Sequence, residues 1–151
     1  TAPQDILNPI KGRILPLSEV ADAVFSSEML GKGFAVEPAE GKTYAPVSGT
    51  ISAVFDTKHA IGITGTDGVE ILVHMGLDTV KLEGKGFDVK VKAGDTIKAG
   101  DLIAEFDMDY IKSEGYPVTT PVIVSNTDNY SEISAPKAGD AEVGAKIITV
   151  C

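Results

Sequence analysis

Turn chemistry constrains this chain more than any other feature. Its 16 glycines and 8 prolines are spread along the whole length and cut the sequence into short apolar runs. Ala-Gly-Asp recurs at Ala93-Gly94-Asp95, Ala99-Gly100-Asp101 and Ala138-Gly139-Asp140. Each is suited to a turn, because Gly accepts positive φ and the Asp carboxylate bonds to nearby main chain. "NPIKGRILPL" from Asn8 and "APVSGTISAVF" from Ala45 both read as a Pro- and Gly-bearing turn that leads into a strand. Short strands with a turn about every 8–12 residues make an antiparallel β-sandwich or barrel-like fold of the all-β class. Helix is limited to one or two short turns. "SSEMLG", Ser26 to Gly31, offers a serine cap and a closing glycine. "DMDYIKSEG", Asp107 to Gly115, is stopped by Gly115 and Pro117. With no linker or low-complexity stretch, residues 1–151 read as a single domain, with 1–5 expected to be loose.

The stretch "HAIGITGTDGVEILVH" holds both histidines of the chain, His59 and His74, and reads as a β-hairpin turning at "GTDG". With Thr66 and Asp67 as a two-residue loop, Gly65 pairs with Gly68 and His59 falls directly opposite His74, their Cβ atoms about 4.5–5.5 Å apart. With Asp67-Gly68 as the loop, they become diagonal neighbours about 7–8 Å apart on one face. A three-residue loop nominally sends them to opposite faces, because side chains alternate with period two. In the first two registers the shared face also carries Thr57, Ile61, Glu70 and Leu72, with Phe55 if the strand extends back.

Two close imidazoles admit three readings. Imidazole is half neutral near pH 6.5, so one ring can attack a phosphoryl donor while the other donates a hydrogen bond to the phosphoryl oxygens and the Thr57 hydroxyl orients it. The pair can hold zinc, but structural zinc takes four ligands and catalytic zinc usually three, so Glu70 or Asp78 would have to join. The pair can also be ordinary surface or core residues. Spacing leaves all three open.

Composition narrows the partners. The formal charge is −9 and the pI about 4.6, which disfavours nucleic acid and anionic membrane and suits a basic protein partner. No apolar run approaches the ~18 residues that cross a bilayer, so no direct membrane insertion is expected. No secretion signal opens the chain. The lone cysteine, Cys151, cannot form an internal disulfide, which fits the cytoplasm and suggests a surface thiol. The chain starts with Thr1, which fits a processed start or a domain cut from a longer polypeptide.

"TKHAIGI" and "GVEILVHMGLDTVKLEGKGF" closely resemble the glucose-family enzyme IIA domain of the bacterial phosphoenolpyruvate-dependent sugar phosphotransferase system. "DAVFSSEMLGKGFAVEP", "APVSGTI", "AGDTIKAGDLIAEFD" and "TPVIVSN" follow in family order, so the resemblance runs from about Ile6 onward. It implies a phosphotransferase working through a phosphohistidine intermediate. His74 would be phosphorylated on Nε2, His59 would support the phosphoryl group, and Thr57 would supply an orienting hydroxyl. The donor would be the histidine-containing phosphocarrier protein and the acceptor a cysteine of a IIB domain. Regulatory protein targets are a further family role. The resemblance puts the domain in the cytoplasm, free or tethered to a membrane permease. No cofactor is required; zinc has a family precedent at the histidine pair, with a partner supplying a further ligand. An apolar docking ring would comprise Val24, Phe25, Met29, Leu30, Phe55, Leu72 and Val80, with Asp22 and Asp78 placed to meet cationic side chains of a carrier. Leu72 and Met75 stand where relatives often carry phenylalanine, which is expected to soften the rim.

Rival functions fit less well. A zinc hydrolase of related fold lacks an H-x-H pair and a third histidine here. A non-catalytic docking module would use the same apolar patch. A biotinyl or lipoyl carrier would need a lysine in a Met-Lys-Met or Asp-Lys-Ala setting, and none is present.

Overall fold

Thirteen strands, two short α-helices and three 3₁₀ turns make up the regular structure in a computed structural model that describes residues 3–151. The strands are β1 (Gln4–Leu7), β2 (Gly12–Pro16), β3 (Lys32–Pro38), β4 (Lys42–Tyr44), β5 (Gly49–Val54), β6 (Ala60–Gly65), β7 (Glu70–His74), β8 (Phe87–Val89), β9 (Thr96–Ile97), β10 (Leu102–Phe106), β11 (Thr120–Val124), β12 (Gly139–Ala141) and β13 (Lys146–Val150). The helices are α1 (Ala23–Ser26) and α2 (Met108–Ser113). An eight-stranded sheet runs β12-β2-β3-β11-β7-β6-β5-β9, beside a three-stranded sheet β4-β10-β8 and the pair β1-β13. Every ladder among the described residues is antiparallel. The all-β, antiparallel expectation therefore holds.

The alternation of side chains sorts the eight-stranded sheet into two faces. Ile14, Val36, Ile71, Val73, Val122 and Val124 enter the main core, together with Phe87, Ile103 and Phe106 of the three-stranded sheet and Ile6, Ile148 and Val150 of the β1-β13 pair. Their intervening neighbours Leu15, Ala35, Leu72 and Ile123 face the other way. They form a smaller cluster with Leu17, Val20, Phe25 and Leu77. A 3₁₀ turn at Leu17–Glu19 and helix α1 supply its lid.

Three sequence expectations shift. Gln4 and Asp5 are not loose: they pair with Val150 and Thr149 in β1-β13, and the Asp5 carboxylate accepts from the Thr149 hydroxyl at 2.8 Å. Thr1 and Ala2 lie outside the described residues. The first helical turn begins earlier than "SSEMLG", because Asp22 and not a serine caps it, its carboxylate accepting from the Val24 N–H at 3.0 Å. Cys151 is half-buried, its N–H and carbonyl tied to Glu132 and Ser131. Helix α2 agrees with expectation, with Asp107 as cap and Gly115 at φ +90° beyond its end. No helix of the described residues is long and apolar enough to cross a membrane.

Candidate active site

The β6-β7 hairpin adopts the three-residue loop. Ala60 pairs with His74, Ile63 with Ile71 and Thr64 with Glu70. Residues 66–68 form the loop, with Gly68 N–H bonded to Gly65 O at 2.9 Å and Gly65 N–H to Val69 O at 2.7 Å. Gly68 takes φ +91°, the left-handed closing position such loops require. Both two-residue registers are thus overturned. So is the shared face drawn from them: Ile61 points into the main core, while Leu72 and His74 lie on the opposite face with the smaller cluster.

The histidines nevertheless meet. Strict alternation would separate them, but His59 lies outside β6, in the turn that follows β5. There the Lys58 N–H bonds to Phe55 O at 2.7 Å, and Lys58 adopts φ +60°, redirecting the chain before β6 begins. The Met75 N–H donates to His59 O at 2.7 Å and fixes the turn against the end of β7. The two imidazole centroids are 4.7 Å apart, the rings nearly perpendicular at 77°.

Each ring has a partner for Nδ1. The Thr57 hydroxyl lies 2.7 Å from His59 Nδ1. His74 Nδ1 lies 2.6 Å from the Gly76 carbonyl oxygen. A carbonyl can only accept, so His74 Nδ1 carries the proton and, in the neutral ring, Nε2 keeps its lone pair. Gly76 holds that carbonyl at φ +85°, and an added Cβ would come within 2.5 Å of Thr79 Cγ2 and 2.9 Å of Pro117 O. Sequence pattern gave no signal for this backbone acceptor, because it depends on the conformation of one glycine.

Burial sets the protonation. His59 is 3% exposed, with the Phe55 ring edge-on at 5.6 Å. Desolvation, then repulsion from His74, pushes its pKa down to about 4 against the opposing pull of the Thr57 main chain. His74 is half-buried over Phe25, whose ring lies 5.0 Å away. Its pKa is also lowered by burial, partly offset by the Gly76 carbonyl and the charges of Asp22 and Asp78. Both imidazoles are therefore neutral at pH 7, and Nε2 of His74 carries the free lone pair.

The expected apolar ring divides into two tiers. Val24, Met29, Leu30, Phe55 and Val80 are the large exposed hydrophobics among the described residues. Phe25 is 5% exposed and Leu72 partly buried, so these two form the floor of the site rather than its rim. Met75 is no rim residue: it is 1% exposed, in the main core, because it follows His74 onto the opposite face. Asp22 and Asp78 flank His74 as charges, although Asp22 also spends one oxygen on its helix cap. Among the described residues no three His, Cys, Asp or Glu side chains converge, so neither Glu70 nor Asp78 completes a metal set with the histidines.

Known proteins resemble this chain in sequence and in fold. A family model described as "phosphoenolpyruvate-dependent sugar phosphotransferase system, EIIA 1" matches residues 4–130. The chain is 46% identical over 139 residues to a "PTS system glucose-specific EIIA component" of Oceanobacillus iheyensis, covering 92% of this chain and 84% of that protein. It is 56% identical over 126 residues to a "PTS system beta-glucoside-specific EIIBCA component" of Bacillus subtilis, covering 83% of this chain and 21% of that one. It spans only about a fifth of the length of such multi-component relatives. The solved glucose permease IIA from Mycoplasma capricolum superposes with a TM-score of 0.92 at 37% identity, over 99% of this chain and 96% of that one.

Proposed function

The chain belongs to the EIIA 1 family of the phosphoenolpyruvate-dependent sugar phosphotransferase system, and from that premise we propose that His74 carries the phosphoryl group on Nε2. The lone pair of Nε2 attacks phosphorus on the phosphohistidine of the histidine-containing phosphocarrier protein. The new N–P bond forms as the donor's N–P bond breaks, its electron pair returning to the donor imidazole. A IIB cysteine thiolate then attacks the same phosphorus, forming S–P, and the electron pair of the broken bond restores neutral His74. Such transfers demand positioning and charge stabilisation more than covalent help.

The observation that carries this reading is the Gly76 carbonyl on His74 Nδ1, which leaves Nε2 as the free nucleophile. His59 supplies the support. With the Thr57 hydroxyl donating to its Nδ1, the Nε2–H is left to donate to a phosphoryl oxygen. A neutral donor suits a ring whose pKa is pushed down to about 4. Val24, Met29, Leu30, Phe55 and Val80 form the docking rim for donor and acceptor, with Asp22 and Asp78 meeting cationic side chains. No step uses a metal, and zinc on the histidine pair would need ligands from a partner. The chain serves a IIB domain either within one permease polypeptide or as a separate cytoplasmic protein, since relatives of both arrangements occur. Glucosides and glucose are the sugar class those relatives favour.

Nitrogen-15 labelling of the histidines tests the assignment. Phosphorylation by phosphoenolpyruvate, enzyme I and the carrier should give one-bond phosphorus coupling to His74 Nε2. Coupling to Nδ1, or to His59, would refute it.

A further inference from the structure

The three polar groups of Met75 are all engaged, and one engagement reaches across to the three-stranded sheet. Its N–H donates to His59 O at 2.7 Å, and its carbonyl accepts the Thr79 hydroxyl at 2.7 Å. Its thioether sulfur accepts the Thr43 hydroxyl at 3.3 Å. Thr43 lies on β4, in the three-stranded sheet, opposite Ala104 of β10. It is 0% exposed, and this sulfur is the one partner its hydroxyl has among the described residues. A hydroxyl held in an apolar core against a weak acceptor is costly to place there unless the contact is kept.

Met75 also occupies a decisive position. It follows the nucleophile directly in sequence, and its N–H is the main-chain bond that holds the His59 turn to the end of β7. A displacement of Met75 therefore changes the separation and tilt of both rings at once. Among the described residues the Thr43 contact is the one polar link from the three-stranded sheet to this residue.

We propose that Thr43 is a positioning residue for the two histidines, acting through its hydroxyl on the Met75 sulfur from the opposite sheet. This builds on the phosphotransfer reading above. Thr43 touches neither substrate nor either imidazole. It anchors Met75, and Met75 sets the His59 turn relative to His74. Because misplacement by an ångström or less has a large effect on transfer rates, loss of the anchor slows the chemical step and leaves docking unchanged, since the exposed apolar rim is untouched.

The test compares Thr43→Val, Thr43→Ser, Met75→Leu and the double variant Thr43→Val/Met75→Leu in the intact chain. Two quantities are measured: the rate of phosphoryl transfer from the carrier protein, and the nitrogen-15 resonances of both histidines without any donor. Thr43→Val keeps the shape and removes the donor. It should lower the maximal transfer rate about tenfold, leave the half-saturating carrier concentration unchanged, and shift the ring resonances of both His59 and His74. Thr43→Ser should restore both. Met75→Leu should reproduce the loss, and the double variant should be no worse than either single one. Wild-type rate and resonances in Thr43→Val would overturn the proposal. So would a full additional loss when Thr43→Val is placed on Met75→Leu, since Thr43 would then act through another neighbour. If Thr43→Val failed to fold, Met75→Leu with undisturbed ring resonances would overturn it equally. Should the wild type accept no phosphoryl group while the resonances still shift as expected, the transfer reading would fall and the positioning role would stand.

Discussion

Replacing Gly76 by alanine should damage stability and chemistry together, and by more than its glycine character alone explains. The residue sits at φ +85°, where an L side chain costs about 1–2 kcal/mol. The new Cβ would also lie 2.5 Å from Thr79 Cγ2 and 2.9 Å from Pro117 O. The second is a main-chain atom, so relief requires moving the loop, at a cost of about 1–3 kcal/mol. Together these give a loss of about 2–5 kcal/mol, or a fall in Tm of about 4–20 °C for a chain of this size. Gly68→Ala provides the control, because Gly68 has φ +91° but nothing within 4 Å of its Cβ position. It should cost only the conformational part, about 1–2 kcal/mol. The moving atom at Gly76 is the carbonyl that fixes the His74 tautomer, so transfer should fall about a hundredfold. Urea unfolding of both variants and single-turnover phosphoryl uptake would measure this. Equal destabilisation of Gly76→Ala and Gly68→Ala, or an unaltered uptake rate in Gly76→Ala, would refute the reasoning.

Phe25→Ala removes a buried ring 5.0 Å from His74 and should destabilise by about 3–5 kcal/mol, whereas Met29→Ser, at 76% exposed, should change stability by no more than about 0.5 kcal/mol and raise the half-saturating carrier concentration instead; thermal melts and transfer kinetics separate the two. Both imidazole pKa values are depressed, so both rings are neutral in folded and unfolded chain above pH 6.5, and the unfolded chain takes up protons first as pH falls; unfolding free energy should be flat above pH 6.5 and decline towards about pH 4, and His59→Gln should flatten that decline. The same depression keeps His74 nucleophilic, so its uptake rate should hold steady from pH 8 to below 6.5 in stopped-flow assays. Thr57→Val should leave His59 without its Nδ1 partner and slow onward transfer more than uptake, measured with a IIB acceptor.

Much of the fold was legible because turn residues act locally. Asp95 and Asp101 accept from the N–H groups of Lys92 and Lys98, as the Ala-Gly-Asp turns suggest, and Gly94 and Gly100 take positive φ. Asp107 and Gly115 bound α2 for the same local reasons. What failed depended on a single torsion or on distant contacts. The hairpin register turned on whether Thr66 and Gly68 both belong to the loop, and the sequence "GTDG" is compatible with all three choices. The meeting of the histidines turned on Lys58 leaving the strand conformation, which residue alternation cannot foresee. Phe25 was placed on the rim by the family resemblance, whereas in the structure it is buried within the cluster that also holds Leu15, Leu17 and Ile123. Met75 changes face because β7 alternates through His74. The shared location of the two histidines was expected; the route by which the chain brings them together was not.

We assign His74 as the nucleophile and His59 as its support. Intact-mass measurement after incubation with phosphoenolpyruvate, enzyme I and the carrier protein tests it most directly. The wild type should gain one acid-labile phosphoryl group and His74→Gln none, while His59→Gln should accept one and pass it on poorly to a IIB domain. A phosphorylated His74→Gln, or an unmodified wild type beside demonstrably active partners, would contradict the account.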